Sequence, residues 1–307
     1  MTNEVNPAVA TAATQETAVR SQGSSLSAWL YRRPKARLLA LLAAPVAWLA
    51  LAYFAALFLL LVTSFYTVNE FTSEPVRAFT LDNYQAIFSD SAYIHVIVRT
   101  IGIASAVTAI AIVLGVPMAF FIAKVVPRRW RGLMIALVVT PLWASYLVKV
   151  YAWKAMLQPE SGVVASMLKP LGLTGPGYGV VAVIITLSYL WLPYMILPVY
   201  AGLERLPDSM LDASADLGGR TTRTLRSVVL PLVYPSIVAG SVFTFSLSLG
   251  DYITVQIVGS KTQMLGSVVY SSYTTDLPFA AAMATIPIVI MVVYLAIVRR
   301  TGALDNL

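Results

Sequence analysis

The chain contains no cysteine and a single histidine, His95. Disulfides, thiolate nucleophiles and cysteine metal sites are therefore excluded, and no histidine cluster can hold a metal. Charge is scarce, since Asp, Glu, Lys and Arg make up 11% of the 307 residues. No G-x-x-x-x-G-K-[ST] phosphate loop is present, so the chain is not itself an ATPase of that class. An intramembrane enzyme would need a Ser/His pair, paired aspartates or a metal constellation, and none is evident. An ion-coupled secondary transporter would carry more ionisable residues at the membrane midplane, and few are present.

Apolar residues are abundant instead. They make up 58% of the chain, with a mean hydropathy of +0.77. They gather into runs long enough to span a bilayer, which takes about 20 residues. The expected fold is an all-α polytopic membrane protein. Its six transmembrane helices cover about 38–66, 94–123, 133–153, 178–200, 231–258 and 278–298. Residues 1–27 are rich in Ala, Thr, Ser, Gln and Asn and read as a disordered tail. They contain no apolar core of a signal peptide. The membrane domain covers 28–300, with a short amphipathic piece near Val163–Leu168.

The distribution of Lys and Arg orients the spans. One side holds the N-terminal tail, the turn at 124–131, the loop at 201–230 and the C-terminus, and carries fifteen of the 21 positive residues. The other side holds four: Arg77, Lys154, Lys169 and Lys261. The positive-inside rule then puts both termini and the 201–230 loop in the cytoplasm. The net charge of +7 thus belongs to the ends of apolar runs rather than to a nucleic-acid surface.

Within that loop, Leu203–Pro231 is unusually polar. It holds Glu204, Asp208, Asp212 and Asp216 against Arg205, Arg220, Arg223 and Arg226. Pro207 suits the first turn of a helix. The residues that follow to Leu217 continue helically, with Ala213, Ser214 and Ala215 small enough for another surface to approach. Gly218 and Gly219 end that helix. Thr221 or Thr222 can cap a second short helix over Arg223–Val229, and Pro231 begins the next span.

The same stretch carries a spacing pattern. Asp212-Ala213-Ser214 is followed by three residues, then Gly218, then nine residues, then Val228-Val229-Leu230-Pro231. This resembles the E-A-A, three residues, G, nine residues, I-x-L-P signature of permeases of ATP-binding-cassette importers. The departures are Asp for Glu, Ser for the second Ala and Val for Ile. The resemblance implies that Asp212, Ala213, Ser214, Gly218, Leu230 and Pro231 belong to a coupling helix that sits in a groove of a separate ATPase. It implies two such ATPase subunits binding ATP and Mg, a second permease subunit and a soluble binding protein. No cofactor is expected on this chain. The implied location is the bacterial inner membrane.

Two further stretches, Pro141-Leu142-Trp143 with Leu147–Trp153, and Ser248-Leu249-Gly250-Asp251-Tyr252-Ile253-Thr254, resemble the spermidine/putrescine branch of these permeases. Branches for sulfate, iron, thiamine, phosphonate and opines share the layout. Asp251 is the one acid clearly inside an apolar run. Either it helps pass a cationic amine, or it caps a helix break at Gly250 or pairs with Lys149. Tyr252, Trp191 and Tyr151 are candidates to line a path through their ring faces, with Trp153 and Tyr194 nearby. The competing reading makes such residues interfacial aromatics, and Trp191, beside Pro193, is the best exception. His95 reads as interfacial. The acids Glu70, Glu74, Asp82, Asp90, Glu160 and Asp276 lie on the face where a binding protein would arrive.

Overall fold

The computed structural model describes residues 34–69, 75–219 and 221–300. The expected tail over 1–27 and the acids Glu70 and Glu74 lie outside the described residues. The chain divides after Leu60. The first unit is built by α1, Pro34–Thr63, which runs three residues past that boundary. Proline is pre-set for the first helical position, where its missing N–H costs nothing. From Leu38 to Thr63 no residue is charged. At 1.5 Å per residue the helix reaches about 45 Å, ample for a hydrocarbon core of about 30 Å.

The second unit starts with a two-residue antiparallel ladder, β1 (Thr67–Val68) with β2 (Pro75–Val76). A short helix α2 (Asp82–Ser89) follows, then α3 (Ser91–Phe120), which is prolonged by a π-helical turn, Phe121–Val125. The Asp90 carboxylate accepts the Ala92 N–H at 2.8 Å and so caps α3. Next come α4 (Arg128–Trp143), α5 (Tyr146–Met156), the small α6 (Val163–Leu168) and α7 (Val180–Glu204). Helices α8 (Asp208–Asp216) and α9 (Thr221–Thr224) lead through a second π-helical turn, Leu225–Val229, into α10 (Leu230–Leu249). The chain closes with α11 (Ile253–Val258), α12 (Leu265–Ser272) and α13 (Leu277–Arg300).

Two of the expected spans are broken. The stretch over 133–153 is not one helix: α4 and α5 meet at 92°. Ala144 and Ser145 are extended at the join, three residues beyond Pro141. The stretch over 231–258 ends at Leu249, and α11 begins anew after Gly250–Tyr252. Among the described residues, five helices are long and apolar enough to cross a membrane, and six if the bent pair counts as one span. The loop expected before Asp276 contains α12, whose Leu265 and Val268 pack with Val96 of α3 and Met283 of α13.

Three helices, α3, α7 and α10, make the central seam. Along α3, Ala104, Thr108, Ala111, Gly115 and Ala119 recur at helical spacing and are all buried. In lipid, where apolar contact by itself drives little association, small residues let helices approach closely. Met195 of α7 fills the space this leaves. A Cβ on Gly240 of α10 would come within 3.1 Å of the Met195 Cα, and one on Gly115 within 2.8 Å of its Cγ. Thr108 and Thr244 satisfy their buried hydroxyls locally, donating to the carbonyls of Ala104 and Gly240 four residues back, whereas the hydroxyls of Thr186 and Ser188 on α7 are buried without a partner.

Candidate functional site

Two places combine chemistry with position. The first is the element between α7 and α10. Pro207 stands just before α8 rather than in its first turn. The helix ends in a paired-glycine turn. Gly218 has a φ of +76°, a conformation that favours glycine because it has no Cβ. The Gly219 N–H donates to the Ser214 carbonyl at 2.9 Å, the six-to-one bond of a Schellman motif. Ser214 and Thr224 hydroxyls then hydrogen-bond at 2.8 Å and tie α8 to α9. The serine that departs from the family signature therefore has a partner that an alanine would lack.

The second short helix, expected to stand apart over 223–229, is instead continuous with α10 from Thr221 to Leu249. Pro231 cannot donate an N–H, and its ring crowds the carbonyl four residues back. The wider π-helical turn at Leu225–Val229 lies where that crowding falls. Leu230 and Pro231 thus sit inside a continuous helix rather than starting one.

This element rests on the core through Leu206 and Val229, which are buried with Leu203, Val233 and Ile122. It is also held at one edge. The Lys124 ammonium donates to the Leu206 carbonyl at 2.7 Å and to Asp208 Oδ1 at 2.6 Å. That bond, and then the ammonium charge, hold the Asp208 carboxyl below its ordinary 3.8. On the outer face, Asp212 and Ala213 are exposed, and so are Met210 and Leu217, the latter at 89%. Met210, Ala213 and Leu217 are spaced to share one helix face.

The second place is the break after α10. Asp251 is 8% exposed. Its Oδ1 accepts the Thr254 N–H at 2.9 Å and so caps α11. Its Oδ2 accepts the Tyr146 hydroxyl. That hydroxyl also lies 2.7 Å from Thr254 Oγ1. Lys149 makes no ion pair with Asp251; among the described residues the ion pair is Lys124–Asp208. Capping is therefore part of what Asp251 does, and pairing with Lys149 is not.

Trp191 stacks on Tyr146, with ring centroids 6.0 Å apart and planes at 25°, and meets Tyr194 edge-on at 5.8 Å. Its indole Nε1 is buried without a hydrogen-bond partner. The other sequence candidates make contacts of their own. Tyr252 stacks on Tyr270 at 4.7 Å. Tyr151 is 56% exposed, with the Lys154 ammonium 5.9 Å from its ring centre. Five residues separate Tyr151 from Tyr146, about 140° around a helix, so they occupy different faces of α5. Trp153 packs on Tyr189. His95 bonds back to the Ser91 carbonyl within its own helix.

The residue missed by sequence reasoning is Tyr146. It reaches Asp251 only because α5 turns away from α4, and nothing local marks that bend beyond Pro141. Thr254 had a visible signal, an amide three residues after an aspartate, the ordinary spacing of a helix cap.

Residues 111–302 match the family described as binding-protein-dependent transport system inner membrane component. The chain is 41% identical over 299 residues to the inner membrane ABC transporter permease protein YdcU of Escherichia coli K12, covering 92% of this chain and 95% of that one. It is 31% identical over 268 residues to the spermidine/putrescine transport system permease protein PotB of the same organism, covering 85% and 96%. A chain of a bacterial ABC transporter for the acidic polysaccharide alginate shares the fold, with a TM-score of 0.63 at 18% identity, covering 89% of this chain and 99% of that one. Membrane-length helices, the coupling signature and this kinship agree: the chain belongs to the family of binding-protein-dependent transport system inner membrane components, and is a multi-pass permease subunit of an ABC importer.

Proposed function

We propose that this permease passes linear polyamines inward, and that α8 with its paired-glycine turn receives the power stroke of a separate ATPase. The observation that carries the cargo reading is the buried Asp251 carboxylate beside the stacked Tyr146 and Trp191. A carboxylate and ring faces are what an alkyl ammonium group seeks when it leaves water. The kinship to PotB supports the same cargo. On this reading Asp251, Tyr146 and Trp191 line the path, while Tyr151 and Tyr252 flank it.

The coupling reading rests on the exposed face of Met210, Ala213 and Leu217, next to Asp212 and Gly218. An apolar face left bare at a basic, water-facing loop suits a groove on a partner. The assembly then comprises two ATPase subunits, a second and different permease chain and a binding protein that delivers cargo from outside. Both termini lie in the cytoplasm on this reading, which the charge distribution supports.

The test is uptake of labelled spermidine by proteoliposomes holding the assembled transporter, with its binding protein outside and ATP inside. Accumulation should require both ATP and the ATPase. Full accumulation with the ATPase omitted overturns the coupling reading. A binding protein whose melting temperature is unmoved by spermidine or putrescine overturns the cargo reading.

A further inference from the structure

Two adjoining cavities lie along the seam of α3, α4 and α7, and their chemistry changes from one to the next. The apolar one, about 580 Å³, is lined by Phe121 and Ile122, by Met134 and Leu137, and by Leu192 and Ile196. The polar one, about 590 Å³, is lined at the same ends of the same helices by Lys124, Arg128, Arg131, Arg205, Tyr200 and Glu204, with Asp208 at its edge. Each helix steps from the apolar cavity to the polar one within about one turn. From Ile196 to Tyr200 this is about 6 Å at 1.5 Å per residue.

The charges in the polar cavity do not cancel. Lys124 is engaged by Asp208. Glu204 accepts the Tyr200 hydroxyl at 3.3 Å. Arg131 donates through Nε to the Val126 carbonyl. Its terminal guanidinium nitrogens, with Arg128 and Arg205, are left outside any ion pair among the described residues. Trp130, between Arg129 and Arg131, is exposed, as suits an aromatic at the membrane–water boundary.

We infer that this seam binds an anionic phospholipid, its phosphate among Arg128, Arg131 and Arg205 and an acyl chain in the apolar cavity. A free anion has no use for the apolar half, and a purely apolar occupant has none for the arginines. The lipid satisfies both, at the depth where a headgroup gives way to hydrocarbon. Basic cavities between membrane helices on the cytoplasmic side are suited to such headgroups. The occupant would brace the π-helical end of α3, from which Lys124 reaches Asp208 at the start of α8.

The test uses the assembled transporter in nanodiscs containing equal phosphatidylglycerol and phosphatidylcholine, released into the gas phase for mass spectrometry of retained lipid. Phosphatidylglycerol should be retained in preference. Arg128→Gln with Arg205→Gln should lower that preference about thirtyfold, since each arginine near an anionic surface is worth roughly a factor of five. Both side chains are exposed, so folding is not at risk. The lysine pair at the same positions should keep most of it. A photoactivatable acyl chain should label residues 117–122 or 134–138. Equal retention of the two lipids overturns the inference. So does displacement of phosphatidylglycerol by inorganic phosphate at millimolar concentration, which would mark a plain anion site. Labelling confined to other segments, or a cross-link that puts the second permease chain over the apolar cavity, also overturns it.

Discussion

Tyr146→Phe removes one hydroxyl and nothing else. The ring keeps its stacking on Trp191 and its place beside the buried cluster of Val150, Leu187 and Val255. What disappears is the donor to Asp251 Oδ2 and the partner of Thr254 Oγ1, while the Thr254 N–H stays on Oδ1. A carboxyl group only 8% exposed cannot recover that bond freely from water. Leaving a buried polar group short of a partner costs about 1–3 kcal/mol. That converts to about 5- to 150-fold in the opening equilibrium of the break between α10 and α11. The assay is amide hydrogen exchange of the assembled transporter in nanodiscs, followed over residues 250–256. Exchange there should rise by that factor, while amides of Val107–Gly115 in the α3 seam stay unchanged. Asp251→Asn should preserve the cap to Thr254 and raise exchange less. Exchange in Tyr146→Phe within twofold of wild type would show that the hydroxyl is not holding the break closed, and would remove Tyr146 from the site.

Gly218→Pro should abolish ATP-driven uptake while leaving the protein in the membrane, because φ there is +76° and proline is locked near −65°; wild-type uptake would show that this turn does not couple. Leu217→Asp, just past the end of α8 and 89% exposed, should weaken co-purification of the ATPase without lowering permease yield. Asp208 has a carboxyl held low by its hydrogen bond to Lys124. The depressed value means that the contact contributes fully above the ordinary carboxylate range and is lost as pH falls through the folded-state value. Carboxyl-carbon NMR of labelled aspartate should find Asp208 titrating below 3.8, and Lys124→Gln should move it upward. Gly240→Val should cost about 1–3 kcal/mol by overpacking, read as a lower unfolding temperature. Met195→Ala should recover only part, since the Met195 Cα itself stands 3.1 Å from the new Cβ.

What was legible in the sequence depended on whether the signal was local. Apolar runs declare membrane helices because a segment in lipid must satisfy its own backbone, so length and hydropathy suffice. The two glycines after Leu217 declare a helix end because only local backbone conformation is at stake. The spacing from Asp212 to Pro231 declared the family in the same way, as one uninterrupted string. The bend at Ala144–Ser145 escaped because the apolar run continues on both sides of it, whereas the break at Gly250 was legible as one of the alternatives that a buried aspartate offers.

The sequence by itself therefore determined the class of the molecule, the charge asymmetry of its two sides and the coupling signature, all properties of residues near one another along the chain. Only the tertiary structure decided that Asp251 meets Tyr146, that Tyr146 stacks on Trp191 while Tyr151 takes another face of α5, and that three arginines share one cleft with Lys124. These groupings join residues up to 105 positions apart. They follow from how α3, α4, α5 and α7 pack, and packing is set by small side chains and helix breaks acting together rather than by any one stretch.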